Sequence, residues 1–321
     1  MGKVRNKLVL TMFHVPHRYR AIFSQSESIR KITVQRGLRI LNLICYQIFL
    51  SRKTKKKTQG LTKLIQTYES CRVLLVANGP SVRGINFTKL SEIQALNQIV
   101  IVGINYSPLA LVEKYRKDVK LDLLILSDYF MHPRNTDRKN QEFWDIVDKD
   151  SIKIVTPTAW CDSKSFVQCR DKICLHFNDY GTEGIFSHIN PTKTRNYISL
   201  TAFKALAICR YLRFSEIYLI GLDNNFFLGM SVDKNLNLIE MPHHAGPTYS
   251  GDYNVSSFWP KGLGDYFYFV SKIFIDLRKY FNYENIINLD IDSLNDVHKK
   301  IERHDEFYKL ISPSRKIKHV K

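Results

Sequence analysis

The sequence lacks any pair of cysteines at Cys-x-x-C spacing, and its six cysteines are scattered along the chain. Zinc ribbons and thioredoxin-type redox sites need such pairs, so their absence argues against both classes. Long apolar runs are also missing: residues 40–50 span about half of the roughly 20 residues that a membrane-spanning helix needs. The apolar residues 8–13 are too few for a secretory signal. We therefore expect reduced cysteines and a cytoplasmic protein.

Acidic residues are scarce at both ends of the chain. Residues 1–71 contain 15 Lys and Arg against 2 acids, and residues 311–321 contain four bases and no acid. These ends account for almost all of the net charge of +18, and the remaining body is nearly neutral. A nucleic-acid-binding fold would carry basic residues on the body itself, so we expect no nucleic-acid partner.

The basic N-terminal extension is patterned. Residues 29–50 interleave apolar and basic side chains as an amphipathic helix does, and a run of basic residues follows at 52–57. This pattern predicts contact with an anionic membrane surface through residues 29–57, and a peripheral location on the inner membrane face. A helix that packs on the body, followed by a charged linker, has the same signature and stays an alternative.

The body alternates short β-branched runs with helical segments. Near-continuous apolar runs are typical of parallel strands buried on both faces. The predicted strands are residues 72–77, 98–103, 121–127, 152–156, 216–221 and 286–290, and the clearest helices are 199–214 and 265–281. The sequence therefore predicts an α/β fold with a doubly wound, mostly parallel, Rossmann-like sheet. We divide the chain into the extension (1–70), a catalytic domain (71–310) with a lid around 228–262, and a basic tail (311–321).

Polar side chains follow several predicted strands, where doubly wound sheets bind ligands. The first strand is followed by Asn78-Gly79-Pro80-Ser81, in which Gly79 permits close approach of a phosphate and Ser81 can cap the next helix. The alternative interpretation is that these residues form an ordinary strand-to-helix turn that binds no ligand. The single glycine before the proline does not match the Gly-x-Gly-x-x-Gly dinucleotide fingerprint, which disfavours NAD and FAD.

The ends of three further strands carry similar side chains. They suit ribose hydroxyls, base edges and phosphate oxygens, although any single one can be an Asx turn. These residues are Asn105, Ser127, Asp128 and Asp223. Ser199 or Thr201 can cap the predicted helix 199–214.

Two adjacent histidines, His243 and His244, lie in a long polar segment after residue 229. Such segments often form functional lids, and a histidine can serve as a general base near neutral pH. Neighbouring histidines lack the i, i+4 spacing of a zinc site, so we expect no metal there. Two surface histidines in a loop remain the alternative.

Together these segments resemble the bacterial sialyltransferases that use CMP-sialic acid, and the related nonulosonate transferases that modify flagellin. The resemblance rests on residues 74–81, on residues 201–223 with Gly221-Leu222-Asp223, and on the His244-Ala245-Gly246 region. It covers about residues 72–290. It implies a modified single Rossmann domain (a GT-A-like variant) and an inverting, metal-independent transferase without a cofactor.

The resemblance also implies roles for individual residues. Asn78, Gly79 and Ser81 would hold CMP, while Asn105 and Ser127 or Asp128 would contact cytidine, ribose or the donor sugar. Thr201 would lie near the donor carboxylate or phosphate. His244, or its neighbour His243, would deprotonate the hydroxyl of a surface-glycan or lipid-linked acceptor. Whether the protein forms a homo-oligomer is left open.

The sequence departs from the family where a tyrosine is expected to assist the leaving phosphate. Asn225 and Phe227 occupy that region, and Tyr249 or Tyr253 could substitute from the lid. Two other functions therefore stay open. A pterin diphosphokinase-like enzyme would bind ATP with Mg²⁺ on Asp128 and Asp223, and an inactive scaffold would act at the membrane surface.

Overall fold

The structure is a computed structural model that describes residues 40–41, 43–48, 50–96, 99–105, 119–128, 131–132, 141, 143–145, 147, 152–160, 174–224, 230–232, 234, 238–240, 253–254, 263–301 and 304–311. Its strands, in chain order, are β1 Arg72–Val76, β2 Val100–Ile104, β3 Leu123–Ile125, β4 Lys153–Pro157, β5 Cys174–Phe177, β6 Glu216–Ile220, β7 Met230–Val232, β8 Leu238–Glu240, β9 Tyr253–Asn254, β10 Ile286–Asn288 and β11 Lys299–Lys300. Its helices are α1 Ser51–Lys63, α2 Ile65–Tyr68, α3 Phe87–Ala95, α4 Thr201–Tyr211, α5 Leu263–Tyr280 and α6 His304–Ile311, with 3₁₀ turns at Pro80–Gly84 and Thr158–Trp160.

Eight of the described strands form one parallel sheet in the order β11-β10-β6-β1-β2-β3-β4-β5. The doubly wound, Rossmann-like sheet predicted from the sequence is confirmed. All six predicted strands are present, with ends that differ by up to two residues. Strand β5 was not predicted because its four residues, Cys-Leu-His-Phe, are few and include a polar histidine.

The sheet is buried on both faces, as its apolar strands require. Side chains alternate along β1: Val73 and Leu75 belong to one core, and Leu74 and Val76 to the other. Helices α4 and α5 pack into the first core, and α3 and α6 into the second. Eight of the eleven residues of α4 are buried, so the helix is held by contacts on nearly all sides.

The order in which the chain adds strands to the sheet changes sides at β1: strands β2 to β5 follow on one side, and β6, β10 and β11 on the other. Strand β1 leads to β2 on one side, whereas β6 pairs with its other side. Such a topological switch point opens a crevice outside the carboxyl ends of the strands, where ligands bind in this architecture. The segments after β1 and β6 are therefore the first place to look for a site.

The polybasic run of the extension lies on helix α1 and not on an extended linker. Leu61 is in the core, and a Cβ added to Gly60 would lie 2.9 Å from Leu175 Cδ2, so α1 packs closely on β5. Lys57 Nζ donates a hydrogen bond to the Thr158 carbonyl at 3.3 Å. The domain boundaries stay a prediction, but the second half of the extension contacts the body.

The predicted lid contains the antiparallel strands β7, β8 and β9, which pair in that order. Sequence patterns had predicted only a long polar loop there. None of the helices in the described ranges is long and apolar enough to cross a membrane.

Candidate functional site

The segments after β1 and β6 are joined by hydrogen bonds among four residues, Gly79, Ser81, Gly221 and Asp223, which we call the switch-point group. The Ser81 amide donates to Asp223 Oδ2 at 3.1 Å, and the Ser81 hydroxyl donates to Asp223 Oδ1. The Gly221 amide donates to Ser81 Oγ at 2.9 Å, and the Gly79 amide donates to the Gly221 carbonyl at 2.9 Å. Two segments about 140 residues apart in sequence thus form one rigid edge.

Both glycines of the switch-point group are required by its geometry. A Cβ on Gly79 would lie 2.5 Å from Asp223 Oδ2 and 2.6 Å from the Gly221 carbonyl oxygen, which is too close for any side chain. Gly221 has φ +77°, a left-handed conformation that glycine adopts without strain. The sequence predicted a functional role for Gly79 from its position, and the structure gives the steric reason for glycine there.

Asp223 is a buried carboxyl with an unusual charge environment. Burial raises its pKa to about 6, and the Asp290 carboxyl also raises it, while the hydrogen bonds from Ser81 lower it. Asp290 follows β10 and is itself buried. Two carboxyl groups therefore share this part of the carboxyl edge, and sequence patterns had identified only one of them.

A second cluster, the Thr201 group, comprises Asn105, Ser127 and Thr201. Thr201 Oγ1 accepts a hydrogen bond from Asn105 Nδ2 at 3.0 Å and lies 2.7 Å from Ser127 Oγ. The Ser127 amide donates to Asn105 Oδ1 at 3.2 Å. Asn105 has φ +44°, which asparagine tolerates better than most residues. Residues that follow β2 and β3 thus meet the first residue of α4.

The start of α4 differs from what the sequence predicted. Leu200 is the N-cap residue, and no side chain caps the helix, so the prediction that Ser199 or Thr201 caps it is wrong. Thr201 instead uses its hydroxyl within the Thr201 group. The Phe203 amide donates to the Leu200 carbonyl at 3.1 Å, and no side chain among the described residues caps the start of α4, where the helix dipole favours an anion.

Ser81 does not cap a helix either. Its hydroxyl is engaged with Asp223 and Gly221, and the N-cap of α3 is Asn86, whose Oδ1 accepts from the Lys89 amide at 3.0 Å. The capping role predicted for Ser81 is therefore wrong. Its position instead fixes the segment after β6 against the segment after β1.

Three asparagine amides at this edge contain buried atoms without a hydrogen-bond partner. In the described ranges these atoms are Asn78 Oδ1, Asn224 Nδ2 and Asn288 Nδ2. They follow or end β1, β6 and β10, three adjacent strands. Buried polar atoms are nearly always paired in folded proteins, so the cluster marks a place where water or a ligand would complete the hydrogen bonding. Asn288 was missed by sequence patterns, although it satisfies the same rule of a polar residue at a strand end.

The two groups lie on neighbouring strands. Strand β2 separates the ends of β1 and β3, so the Thr201 group is one to two strand spacings, about 5–10 Å, from the switch-point group.

Asp128 follows Ser127, and its carbonyl accepts from the Met131 amide at 3.0 Å. His243, His244 and Tyr249 lie between β8 and β9, outside the described residues.

Charged residues that the sequence did not single out also meet near this edge. Arg195 Nε pairs with Asp179 Oδ1 at 2.8 Å and Nη1 with Glu183 Oε1 at 2.9 Å, and Lys204 Nζ pairs with Asp179 Oδ2 at 2.7 Å. We call these four residues the Arg195 network. Burial would raise the pKa of Asp179, but Lys204 and Arg195 outweigh it and lower the pKa. Lys204 lies one turn after Thr201, so the network anchors the start of α4.

Among the described residues, no group of three or more His, Cys, Asp or Glu side chains is arranged to hold a metal ion. The polar atoms near the switch point are amides, hydroxyls and two carboxyl groups. Such a set can hold ribose hydroxyls, base edges and an anionic group at the start of α4.

Two of the solved structures that are similar to this chain are of a sialyltransferase. A mutant of the alpha-2,3/8-sialyltransferase CstII shares 15% identity at a TM-score of 0.36, covering 71% of this chain and 86% of that chain. A second mutant of sialyltransferase Cst-II, in complex with CMP, shares 16% identity at a TM-score of 0.37, covering 75% of this chain and 98% of that chain. The chain is similar to sialyltransferases, as its motifs predict. No protein-family model and no curated protein matches the chain.

Proposed function

We propose that the protein is a sialyltransferase-like glycosyltransferase that moves an acidic sugar from a CMP-activated donor to a surface-glycan or glycolipid hydroxyl. The observation that carries this proposal is the hydrogen bonding between Ser81 and Asp223. These residues belong to the two segments that carry the sequence resemblance. The fold thus joins both segments at the switch point, where this architecture binds nucleotides.

The arrangement of polar groups suits such a donor. Asn78 Oδ1 and Asn224 Nδ2, which are buried and have no partner among the described residues, lie beside the switch-point group and would bond the nucleotide. The uncapped start of α4, beside the Thr201 group, would bind the phosphate or the sugar carboxylate. One donor molecule would then span the ends of β6, β1, β2 and β3.

The proposed reaction is a displacement with inversion. An acceptor hydroxyl oxygen forms a bond to the anomeric carbon, and the bond between that carbon and the phosphate oxygen breaks. His244 or His243 takes the hydroxyl proton, and CMP leaves with the electron pair. Tyr249 would assist the leaving phosphate. No metal or further cofactor takes part in the proposed step.

The diphosphokinase alternative is less well supported by the placement of its ligands. Asp128 follows β3 and Asp223 follows β6, and these strands are three positions apart in the sheet. Their ends are therefore about 14 Å apart, whereas ligands of one Mg²⁺ ion lie about 2 Å from it. Both carboxylate oxygens of Asp223 also accept hydrogen bonds from Ser81.

A nucleotide panel in a thermal-shift assay tests the proposal. CMP should raise the melting temperature, because a ligand at 100 times its Kd stabilises the folded state by about 2.7 kcal/mol. The rise should be equal with and without EDTA, because the proposed donor binding uses no metal ion. UMP is the matched nucleotide control and should have a smaller effect. Stabilisation by ATP with Mg²⁺, and none by CMP, would contradict the proposal.

The histidine pair offers an internal control for the chemical step. With CMP-N-acetylneuraminic acid as donor, either His244→Ala or His243→Ala should reduce transfer by at least about 100-fold, the contribution of a general base. The other variant should retain most activity, and both should bind CMP as the unmodified protein does. If both variants keep full activity, neither histidine is the base.

A further inference from the structure

The helical residues that precede α1 expose a continuous apolar stripe. Ile40, Leu41, Ile44 and Ile48 are each between 48% and 67% exposed. At 100° per residue these positions span about 100° of one helix face. Four large aliphatic side chains on one exposed face form a larger patch than scattered surface residues do.

The orientation of this stripe is fixed by a contact on the opposite side of the helix. Tyr46 lies about 180° from the centre of the stripe and is buried. Its hydroxyl accepts a hydrogen bond from Asn178 Nδ2 at 2.7 Å, and its ring packs on Tyr180 at 5.1 Å between centroids. The helix is therefore docked on the body through Tyr46, and the stripe faces away from the body.

Basic side chains continue the same surface along α1. The helix pattern runs on from the stripe, since the Leu50 amide donates to the Tyr46 carbonyl and the Thr54 amide to the Leu50 carbonyl, both at 2.9 Å. Lys57 contacts the Thr158 carbonyl, whereas five further basic residues of α1 are exposed. They are Arg52, Lys53, Lys55, Lys56 and Lys63. Residues 28–68 contain no Asp or Glu, so no acidic residue of this segment offsets their charge.

We propose that Ile40, Leu41, Ile44 and Ile48, with the basic residues of α1, form a docking surface for an anionic lipid bilayer. The apolar stripe would enter the boundary between headgroups and acyl chains, and the lysines would contact the anionic headgroups. The charge selects this occupant: a second copy of the chain would place two basic surfaces against each other. This inference does not depend on the identity of the donor.

Vesicle co-sedimentation with the full chain tests the surface. The protein should bind vesicles that contain about 30% phosphatidylglycerol and should bind pure phosphatidylcholine vesicles far more weakly. Lys55→Ser with Lys56→Ser should weaken binding on the order of 25-fold, because each basic residue near such a surface contributes about fivefold. Ile44→Ser with Ile48→Ser should weaken it by at least about tenfold.

A matched control is available on the opposite face of the sheet. Lys309 and Leu310 are exposed on α6, and Lys309→Ser with Leu310→Ser should leave vesicle binding unchanged. All variants alter exposed side chains and should keep the melting temperature. Equal binding to both vesicle types would overturn the proposal. The proposal would also be overturned if ultracentrifugation showed a dimer of the unmodified protein and only the Ile44→Ser, Ile48→Ser double variant were a monomer.

Discussion

The switch-point group and the Arg195 network lie near the same edge of the sheet but differ in how completely their polar atoms are paired. In the Arg195 network, each of the four charged side chains has an oppositely charged partner within 2.9 Å. Beside the switch-point group, three asparagine atoms lack partners in the described ranges, and the Asp223 carboxyl is close to that of Asp290. All charged groups of one cluster are paired, whereas the other leaves buried polar atoms without partners among the described residues.

This is the difference that we expect between a stabilising cluster and the proposed donor site. A fully paired buried network contributes to stability only while every member is present, because removing one partner leaves an unpaired charge. Unpartnered amides and a carboxyl with a raised pKa lower the stability of the ligand-free fold, and such groups concentrate at functional sites. Variants should therefore affect the two clusters in opposite ways.

The largest effect is expected from Arg195→Met. Arg195 is nearly completely buried, and its loss would remove its ion pairs with both Asp179 and Glu183. Breaking a buried ion pair costs about 3–5 kcal/mol, which urea unfolding should show as a lower free energy of unfolding. The matched control is Arg278→Met, whose pair with Asp296 is exposed, and its loss should cost less than about 1 kcal/mol. Equal losses in the two variants would show that the Arg195 network is not buried in solution.

A smaller, pH-dependent effect is expected from Asp223→Asn. The pKa of Asp223 in the folded chain is about 6, above its ordinary 3.8, so between these values the folded state holds a proton that the unfolded state has released. This contribution to the free energy of unfolding is present below about pH 4 and is lost as the pH rises through 6. Relative to Asp223→Asn, the unmodified protein should lose up to about 3 kcal/mol between pH 4 and pH 7.

The free energies of unfolding of both proteins, measured across this pH range, check the prediction. Asp292→Asn is the control in the same segment as Asp290, because Asp292 is exposed and remains in water when the chain folds. Its stability should follow that of the unmodified protein at every pH. If the free energies of unfolding of Asp223→Asn and of the unmodified protein changed with pH in the same way, Asp223 would not be buried beside the Asp290 carboxyl.

Much of the sheet could be predicted because its strands are buried on both faces and read as apolar runs. The order of the strands fixed the carboxyl edge, so Asn105, Ser127 and Asp223 could be assigned to it by the rule that parallel strands end together. Strand β5 and helix α1 could not be predicted, because four residues carry too little pattern and a lysine-rich segment resembles a solvated linker. Helix α1 shows its packing only through Thr54, Thr58 and Leu61, which are buried among the lysines.

Pairing between distant residues was the part of the site that sequence could not provide. Nothing in the pattern of residues 178–204 distinguishes Asp179 and Arg195 as ion-pair partners from charges on a surface loop. Likewise, the local sequence predicts that Ser81 and Thr201 cap helices, because it shows only the backbone amides that follow each residue. It does not show which side chains from distant strands lie beside these hydroxyls in the folded chain. Asp223 and Asn105 supply those side chains in the folded chain.

The smallest effect on stability, and the most specific one, is expected from Asn78→Ala. Asn78 Oδ1 has no hydrogen-bond partner in the described chain, so its removal should change the free energy of unfolding by less than about 1 kcal/mol. Loss of a bond to the nucleotide should nevertheless weaken CMP binding, measured by calorimetry, by about tenfold. Asn86→Ala should do the reverse, because it removes the N-cap of α3 at a cost of about 1 kcal/mol and leaves CMP binding unchanged. If Asn78→Ala were to lower stability and leave CMP affinity unaltered, Asn78 would belong to the fold and not to the site, and the contrast between the two clusters would fail.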